Sequence, residues 1–293
     1  MRILIATDGS EHGDHAVRLA AAQPWPEGTE LRVLVADDGR LLSSALLVET
    51  PVAVDLVGAG LEDLSAIGRR AAEIVTGPGW AVDWQVVRGR VASVIVEQAA
   101  SWDADLVVVG SRGRGALGSL TLGSVSAEVV DHAGRPVLVG RGVDRFERVL
   151  LADDGSETAA VARRLVAGWP VFKDAVITVT GVVDVPPPLH SAIAPTVYRA
   201  ALADYTRTLD EARTARELTL AAAAAELSAT GRTVTTVPRE GNPAEVILDV
   251  AESQGTQLIV VGSRGDRGLT RLLLGSVARD VLYEARCSVL IAR

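Results

Sequence analysis

Two glycine-rich stretches with the same spacing are the parts of this sequence best suited to chemistry. Gly110-Ser-Arg-Gly113 is followed after nine residues by Gly123-Ser, and a later stretch repeats the pattern with Gly262-Ser-Arg-Gly265, nine residues and Gly275-Ser. Glycines let a backbone approach phosphate oxygens closely and adopt positive φ angles. A helix that begins at Gly-Ser presents free N–H groups and the positive end of its dipole to an anion. The pattern therefore predicts a phosphate-binding loop in each half of the chain.

Side chains near these glycines could add further contacts to a phosphate group. The serine after the last glycine offers a hydroxyl donor. Arg112 and Arg264 can form charge-assisted hydrogen bonds to phosphate, or else are solvated surface arginines. Asp8 and Asp154 are candidates for ligand contact, or else carboxylates that cap a turn or a helix. The four histidines share no ligand spacing, so no metal site built by protein side chains is predicted.

Each half alternates strands and helices in an order that would place these residues at one edge of a sheet. RILIAT is a predicted strand, and Ser10 is placed to cap a helix that runs to about Ala22. DLVVVG and QLIVVG are continuous apolar runs, which are typical of parallel strands covered on both faces. We predict an α/β fold of two tandem doubly wound domains, each a five-stranded, mainly parallel sheet with helices on both faces.

The bounds of the helices in the middle of each half are harder to predict from the sequence. One is predicted near 61–76, and a long one runs from about Thr196 to Ala229, whereas residues 37–57 give no clear assignment. A helix after the last glycine and a final strand, RPVLVG in the first half, complete each predicted domain.

The two halves are copies of one unit. VVVGSRGRGALGSLTLGSV matches IVVGSRGDRGLTRLLLGSV at a constant offset of 152 residues, and RILIATDGSE matches RVLLADDGSE at an offset of 146. We therefore predict domains at 1–143 and 147–293. Because the joint between them is short and polar, the domains should be packed together and not tethered flexibly.

The composition narrows the class of protein. Of 293 residues, 48% are hydrophobic and only 3% aromatic, so the cores are built from aliphatic side chains. A net charge of −8 argues against nucleic acid or an acidic membrane surface as a partner. No apolar run is long enough to span a bilayer, and the N-terminal stretch is too short for a signal peptide. The single cysteine, Cys287, is expected to be buried and fits a cytoplasmic location.

The Gly-x-x-Gly, nine residues, Gly-Ser spacing closely resembles the ATP-binding pattern of the universal stress protein family. The TDGS and DDGS turns after the first strands and the closing RPVLVG also resemble that family, and the likeness covers essentially the whole chain twice. It implies a cytoplasmic ATP-binding protein in which nucleotide, with Mg²⁺, sets conformation or partner binding in a stress response. It also implies that the domains pair through their last strands, PVLVG and SVLIA, and leaves a homodimer of the whole chain open.

The resemblance implies nucleotide contacts at matching positions of both halves. The implied residues are the following: Asp8, Ala36, Gly110, Arg112, Gly113, Gly123, Ser124 and Val125, and Asp154, Val182, Gly262, Arg264, Gly265, Gly275, Ser276 and Val277.

The second half departs from the first where Asp153 replaces Thr7. A second carboxylate near phosphates would repel them unless Mg²⁺ lies between or the side chain points away. Asn242-Pro and Cys287-Ser also differ from their counterparts, and these changes are interpreted as structural.

Two alternatives to a regulatory ATP-binding protein stay open at this point. One is a slow ATP hydrolase, in which Asp8 or Asp154 holds Mg²⁺ or orients a water. Neither loop carries the lysine of a G-x-x-x-x-G-K-[ST] motif, and no base is paired with a nucleophile, so an enzyme is the less favoured reading. The other is a scaffold of the same fold without nucleotide, against which the intact pair of loops argues.

Overall fold

The computed structural model describes residues 1–39, 51–113, 122–186, 195–265 and 274–293. Its first domain contains, in chain order, β1 (Arg2–Ala6), α1 (Glu11–Ala21), β2 (Glu30–Asp37), α2 (Pro51–Ile74), β3 (Ala81–Arg88), α3 (Val91–Ser101), β4 (Leu106–Gly110), α4 (Ser124–His132) and β5 (Val137–Gly140). The second contains β6 (Arg148–Ala152), α5 (Glu157–Gly168), a 3₁₀ turn (Pro170–Phe172), β7 (Val176–Val183), α6 (Pro195–Ser228), β8 (Thr233–Glu240), α7 (Pro243–Ser253), β9 (Leu258–Gly262), α8 (Ser276–Glu284) and β10 (Ser288–Ala292).

The described strands form one ten-stranded sheet in the order β3-β2-β1-β4-β5-β10-β9-β6-β7-β8. All neighbours are parallel except β5 and β10, whose antiparallel pairing joins the domains through Leu138 and Leu290. The predicted doubly wound α/β fold and the pairing of the two last strands are both confirmed. This pairing also covers the two strand edges that would otherwise be open at the centre.

Two apolar layers enclose the sheet, one on each face. In β4, Val107 and Val109 contribute to one layer, while Leu106 and Val108 contribute to the other. Every residue of this strand is therefore buried, which explains its uninterrupted apolar sequence. The strand ends emerge from these layers at the edge that carries the glycine loops.

The helix predictions differ from the structure mainly in α2. It begins at Pro51, ten residues before the predicted start, because the ambiguous stretch continues the apolar spacing of the helix; residues 40–50 of that stretch lie outside the described ranges. Ser10 caps α1 as predicted, its hydroxyl accepting a hydrogen bond from the Gly13 N–H. The long helix α6 matches its prediction to within one residue at each end. Cys287 is only partly buried and packs against one apolar layer.

Two arginines, Arg141 buried and Arg293 partly buried, cross between the domains in equivalent positions. Arg141, which follows β5, donates from a terminal guanidinium nitrogen to the Leu282 carbonyl at the end of α8, at 2.7 Å. Arg293, which follows β10, donates in the same way to the Val130 carbonyl near the end of α4. Ser288 closes the junction by exchanging two hydrogen bonds with the Arg141 backbone. Each domain thus caps the carboxyl end of the other domain's glycine-loop helix, where a cation is favoured by the helix dipole.

Candidate functional site: two glycine-loop sites

Each glycine loop connects the last residue of a buried strand to the start of a helix. The Gly123 N–H donates to the Ser111 carbonyl at 2.8 Å, and the Gly275 N–H donates to the Ser263 carbonyl at the same distance. These bonds hold the two ends of each loop together, although residues 114–121 and 266–273 lie outside the described ranges. The helix start is consequently fixed directly beside the strand end.

Close contact, and not positive φ, accounts for the loop glycines. A Cβ on Gly110 would lie 2.5 Å from the His12 carbonyl oxygen, and one on Gly262 would lie 2.5 Å from the Thr158 hydroxyl oxygen. These glycines do not use the left-handed backbone that glycine permits: Gly123 and Gly275 have φ of −67° and −63°, and Gly110, Gly113, Gly262 and Gly265 also lie outside that region. Gly110 and Gly262 are needed because the strand end and the neighbouring helix approach too closely there for a side chain.

The helices that follow begin without a side-chain cap. Gly123 and Gly275 occupy the N-cap positions of α4 and α8 and make no side-chain cap hydrogen bond. By contrast, Ser10 and Ser156 cap the neighbouring helices α1 and α5 with their hydroxyls. The first-turn N–H groups of α4 and α8 are thus the donors that an external anion can satisfy.

Asp8 and Asp154 have identical placements in the two domains. One carboxylate oxygen of each accepts a hydrogen bond from the backbone N–H of the second residue along, Ser10 or Ser156, at 3.0 Å. The other oxygen faces the glycine loop, since a Cβ on Gly113 or Gly265 would lie only 2.8 or 2.7 Å from it. Each of these carboxylates therefore holds its own turn with one oxygen and faces the glycine loop with the other.

In the second domain, the predicted residues surround a cavity of about 610 Å³. Its lining includes every second-domain residue that the sequence singled out, and they are Asp154, Val182, Gly262, Arg264, Gly265, Gly275, Ser276 and Val277. The cavity lies at the carboxyl ends of β6, β7 and β9, the edge where ligands bind in open α/β sheets. Its size is in the range of small-molecule sites.

The equivalent first-domain residues have the same arrangement. Ala36 lies near the end of β2, paired in register with Val87, as Val182 lies near the end of β7. Arg112 and Gly113 follow β4, and the hydroxyl of Ser126 in the first turn of α4 donates to the Gly110 carbonyl at 2.6 Å. Ser124 and Val125 are exposed at the start of that helix. The structure thus brings each set of predicted residues to one edge of its own domain.

The extra carboxylate of the second domain is turned into the protein. Asp153 has no exposed side-chain surface; one carboxylate oxygen accepts from the Gly155 N–H and the other pairs with Arg163 of α5. Burial lowers the pKa of Arg163, but the hydrogen bond and charge of Asp153 outweigh it and raise that pKa overall. The second alternative foreseen for Asp153, a side chain that points away, is the one observed. Its charge is neutralised internally and does not oppose an anion in the cavity.

Several residues of the cavity wall were missed by sequence reasoning. Arg216 reaches the cavity from α6, and Asn242 reaches it from the start of α7. The Asn242 side chain also caps α7 by accepting from the Ala244 N–H at 3.0 Å, which agrees with the structural role predicted for Asn242-Pro. No local pattern singles out Arg216, because charged residues occur throughout that long helix.

Comparison with known proteins gives the family of the chain. The model of the universal stress protein family matches residues 1–141 and again 145–293, so the chain belongs to this family as a tandem two-domain member. A universal stress protein of Mycolicibacterium smegmatis is 28% identical, with 99% of this chain and 96% of that protein covered. One from Mycobacterium tuberculosis is 35% identical over 65% of this chain and 62% of its own length. The crystal structure of a universal stress protein from Archaeoglobus fulgidus, 20% identical, has the same fold, with a TM-score of 0.64 over 100% of this chain and 98% of that one.

Two features that the described residues lack bear on other kinds of site. Within these ranges, no helix combines the length and apolar character that crossing a membrane requires. In the same part of the chain, histidine, cysteine and carboxylate side chains do not come together in groups of three or more that could hold a metal ion.

Proposed function

We propose that each domain binds one adenine nucleotide, with ATP and its Mg²⁺ as the ligand, and that occupancy regulates conformation or partner binding in a stress response. One observation supports this proposal above all. In both domains, a strand end lined by glycines lies beside the start of a helix that has no side-chain cap. In the second domain the same residues line a cavity. The family resemblance supplies the identity of the nucleotide.

The residues present fit a nucleotide polyphosphate. Glycines at the strand end leave the backbone accessible, the uncapped first turn offers N–H donors, and Arg112 or Arg264 adds positive charge. The carboxylate oxygen of Asp8 or Asp154 that faces the loop can accept from a ligand hydroxyl or contact a Mg²⁺ brought by the phosphates. These are binding functions, so we propose a regulatory nucleotide-binding protein, cytoplasmic in location, and not a dedicated enzyme.

Calorimetric titration with ATP and Mg²⁺ tests the proposal on four forms of the protein. We expect about two ATP per chain for the native protein, about one each for Gly123→Ala and Gly275→Ala, and no change for Gly134→Ala. A Cβ on Gly123 or Gly275 lies 3.1 or 3.3 Å from the Cα of the loop arginine and shifts the loop by tenths of an ångström, whereas Gly134 has no atom within 4 Å. Absence of binding in the native protein would refute the proposal. Phosphate release measured on the same samples shows whether bound ATP is also hydrolysed.

A further inference from the structure

The two domains differ at one point of the proposed site, which is the end of their second strands. In the second domain, Gly181 near the end of β7 leaves space that the side chain of Arg216 fills: a Cβ on Gly181 would lie 2.5 Å from the Arg216 Cδ. Gly181 corresponds to Val35 in β2, by the offset of 146 residues that relates these strands.

The first domain has an apolar side chain in place of the arginine. Gly9 faces Ile67 of α2 just as Gly155 faces Thr219 of α6, which fixes an offset of 152 residues between the two helices. Arg216 therefore corresponds to Leu64. The glycine and the arginine occur together in the second domain, and valine and leucine occur together in the first, so the change is a matched pair.

The Arg216 guanidinium is incompletely satisfied by the described residues. One terminal nitrogen donates a long 3.4 Å bond to the Asp153 carbonyl, and the buried Nε has no hydrogen-bond partner. The nearby carboxylate of Asp153 pairs with Arg163 instead. Among the described residues Arg216 forms no ion pair, although Asp184 lines the same cavity, and a guanidinium fork suits a phosphate or carboxylate.

The position of Arg216 separates it from the glycine loop. Arg264 follows β9, Arg216 lies over β7, and β6 runs between these strands. Two strand spacings amount to about 10 Å. A ligand that contacts both positions must therefore extend across β6, and a nucleotide with a second phosphate on its ribose would place a negative charge at each of them. In dinucleotide-binding Rossmann folds, an arginine near the residue that binds the ribose hydroxyl accommodates a ribose 2′-phosphate.

We propose that Arg216 makes the second site selective for an adenine nucleotide that carries a phosphate on its ribose as well as at its 5′ position. The first site, with Leu64 and Val35, takes the 5′-phosphorylated nucleotide without this preference. The inference rests on the proposed nucleotide-binding function and deepens it for one of the two sites.

Titration of the full chain with AMP, adenosine 2′,5′-bisphosphate and adenosine 3′,5′-bisphosphate tests this selectivity. We expect one site per chain to bind one of the bisphosphates at least about tenfold more tightly than AMP, the usual size of a charge-assisted contact. Arg216→Leu, which copies the first domain, should abolish the preference for the bisphosphate over AMP. Arg216→Lys should retain part of it, because the charge remains and the fork is lost.

The possible failures are distinguishable. If ATP binds with two sites but neither bisphosphate exceeds AMP, or if the preference survives in Arg216→Leu, the selectivity is refuted and the proposed function stands. If neither ATP nor AMP binds the native protein, the proposed function fails and this inference fails with it. A thermal unfolding curve for Arg216→Leu that matches the native protein excludes misfolding as the cause of a lost preference.

Discussion

The buried ion pair beneath the second site allows a prediction whose magnitude follows from the structure. Asp153 has a side chain with no exposed surface, and its partner Arg163 is 17% exposed and also contacts the surface residue Glu226. The corresponding residues of the first domain are uncharged: Thr7 and Val17 replace the pair. The Thr7 hydroxyl accepts from the Gly9 N–H at 3.1 Å, as Asp153 accepts from the Gly155 N–H. The first domain thus fills the equivalent space with uncharged side chains.

Introducing the first-domain residues at these two positions of the second domain should show that their effects on the free energy of unfolding are strongly coupled. Arg163→Val leaves a buried carboxylate without its cation and should cost about 3–5 kcal/mol. Asp153→Thr should cost about 2 kcal/mol, because threonine can still accept from Gly155 and Arg163 retains Glu226. The double variant, which recreates the Thr–Val pair, should come within about 2 kcal/mol of the native protein, since replacing a buried ion pair by a well-packed pair is often neutral.

Urea unfolding of the four proteins, followed by circular dichroism, gives the coupling free energy from the double-mutant cycle. We expect the double variant to be more stable than Arg163→Val alone, with a coupling free energy of at least about 3 kcal/mol. Strictly additive losses would show that the pair acts independently of the site architecture and would refute the reasoning. Native ATP stoichiometry in the double variant would further show that Asp153 is not needed as a ligand contact.

Three further predictions concern groups buried around the junction of the domains. Replacing Arg141 or Arg293 by methionine should each cost about 1–3 kcal/mol in thermal unfolding, because a helix carbonyl loses its buried donor; equal midpoints to the native protein would contradict the capping role. Burial raises the pKa of the Cys287 thiol to about 11 from 9.0. The contribution of this buried neutral thiol to the free energy of unfolding is therefore complete below pH 9 and is lost as the pH rises from 9 to 11. Stability should then fall by about 2–3 kcal/mol over that interval, and in Cys287→Ala this part of the decline should be missing. Burial lowers the pKa of His15 more than Asp144 raises it, so stability should fall as pH drops below 6.5, and a His15→Gln variant with the same acid slope would refute this.

The fold and most of the candidate site could be predicted from the sequence because the relevant signals are local. Continuous aliphatic runs indicate strands buried on both faces, and the glycine spacing marks the turn from strand to helix. Because the chain contains two copies of one unit, each element could be predicted twice. Both predictions agree with the structure at Asp8 and Asp154. The pairing of PVLVG with SVLIA followed from the family resemblance and is confirmed by β5 and β10.

What sequence reasoning missed depends on contacts between distant segments. Arg216 lies in a long charged helix, and only the structure shows that Gly181, 35 residues earlier, admits its side chain over β7. The neutralisation of Asp153 is a local contact with Arg163 on the next helix, α5, but it depends on the direction in which both side chains point. The start of α2 was missed because the stretch 37–57 contains both the last residue of β2 and the first residues of α2, and its sequence offers no clear cap.

Counting the nucleotide in the purified protein shows whether both domains hold an adenine nucleotide. The protein would be denatured with acid and the released nucleotide identified and quantified by chromatography, before and after reloading with ATP and Mg²⁺. We expect about two adenine nucleotides per chain after reloading, and none retained by the double variant Gly123→Ala, Gly275→Ala. No nucleotide in the native protein, even after reloading, would contradict this expectation and leave a scaffold that uses the same fold without a ligand.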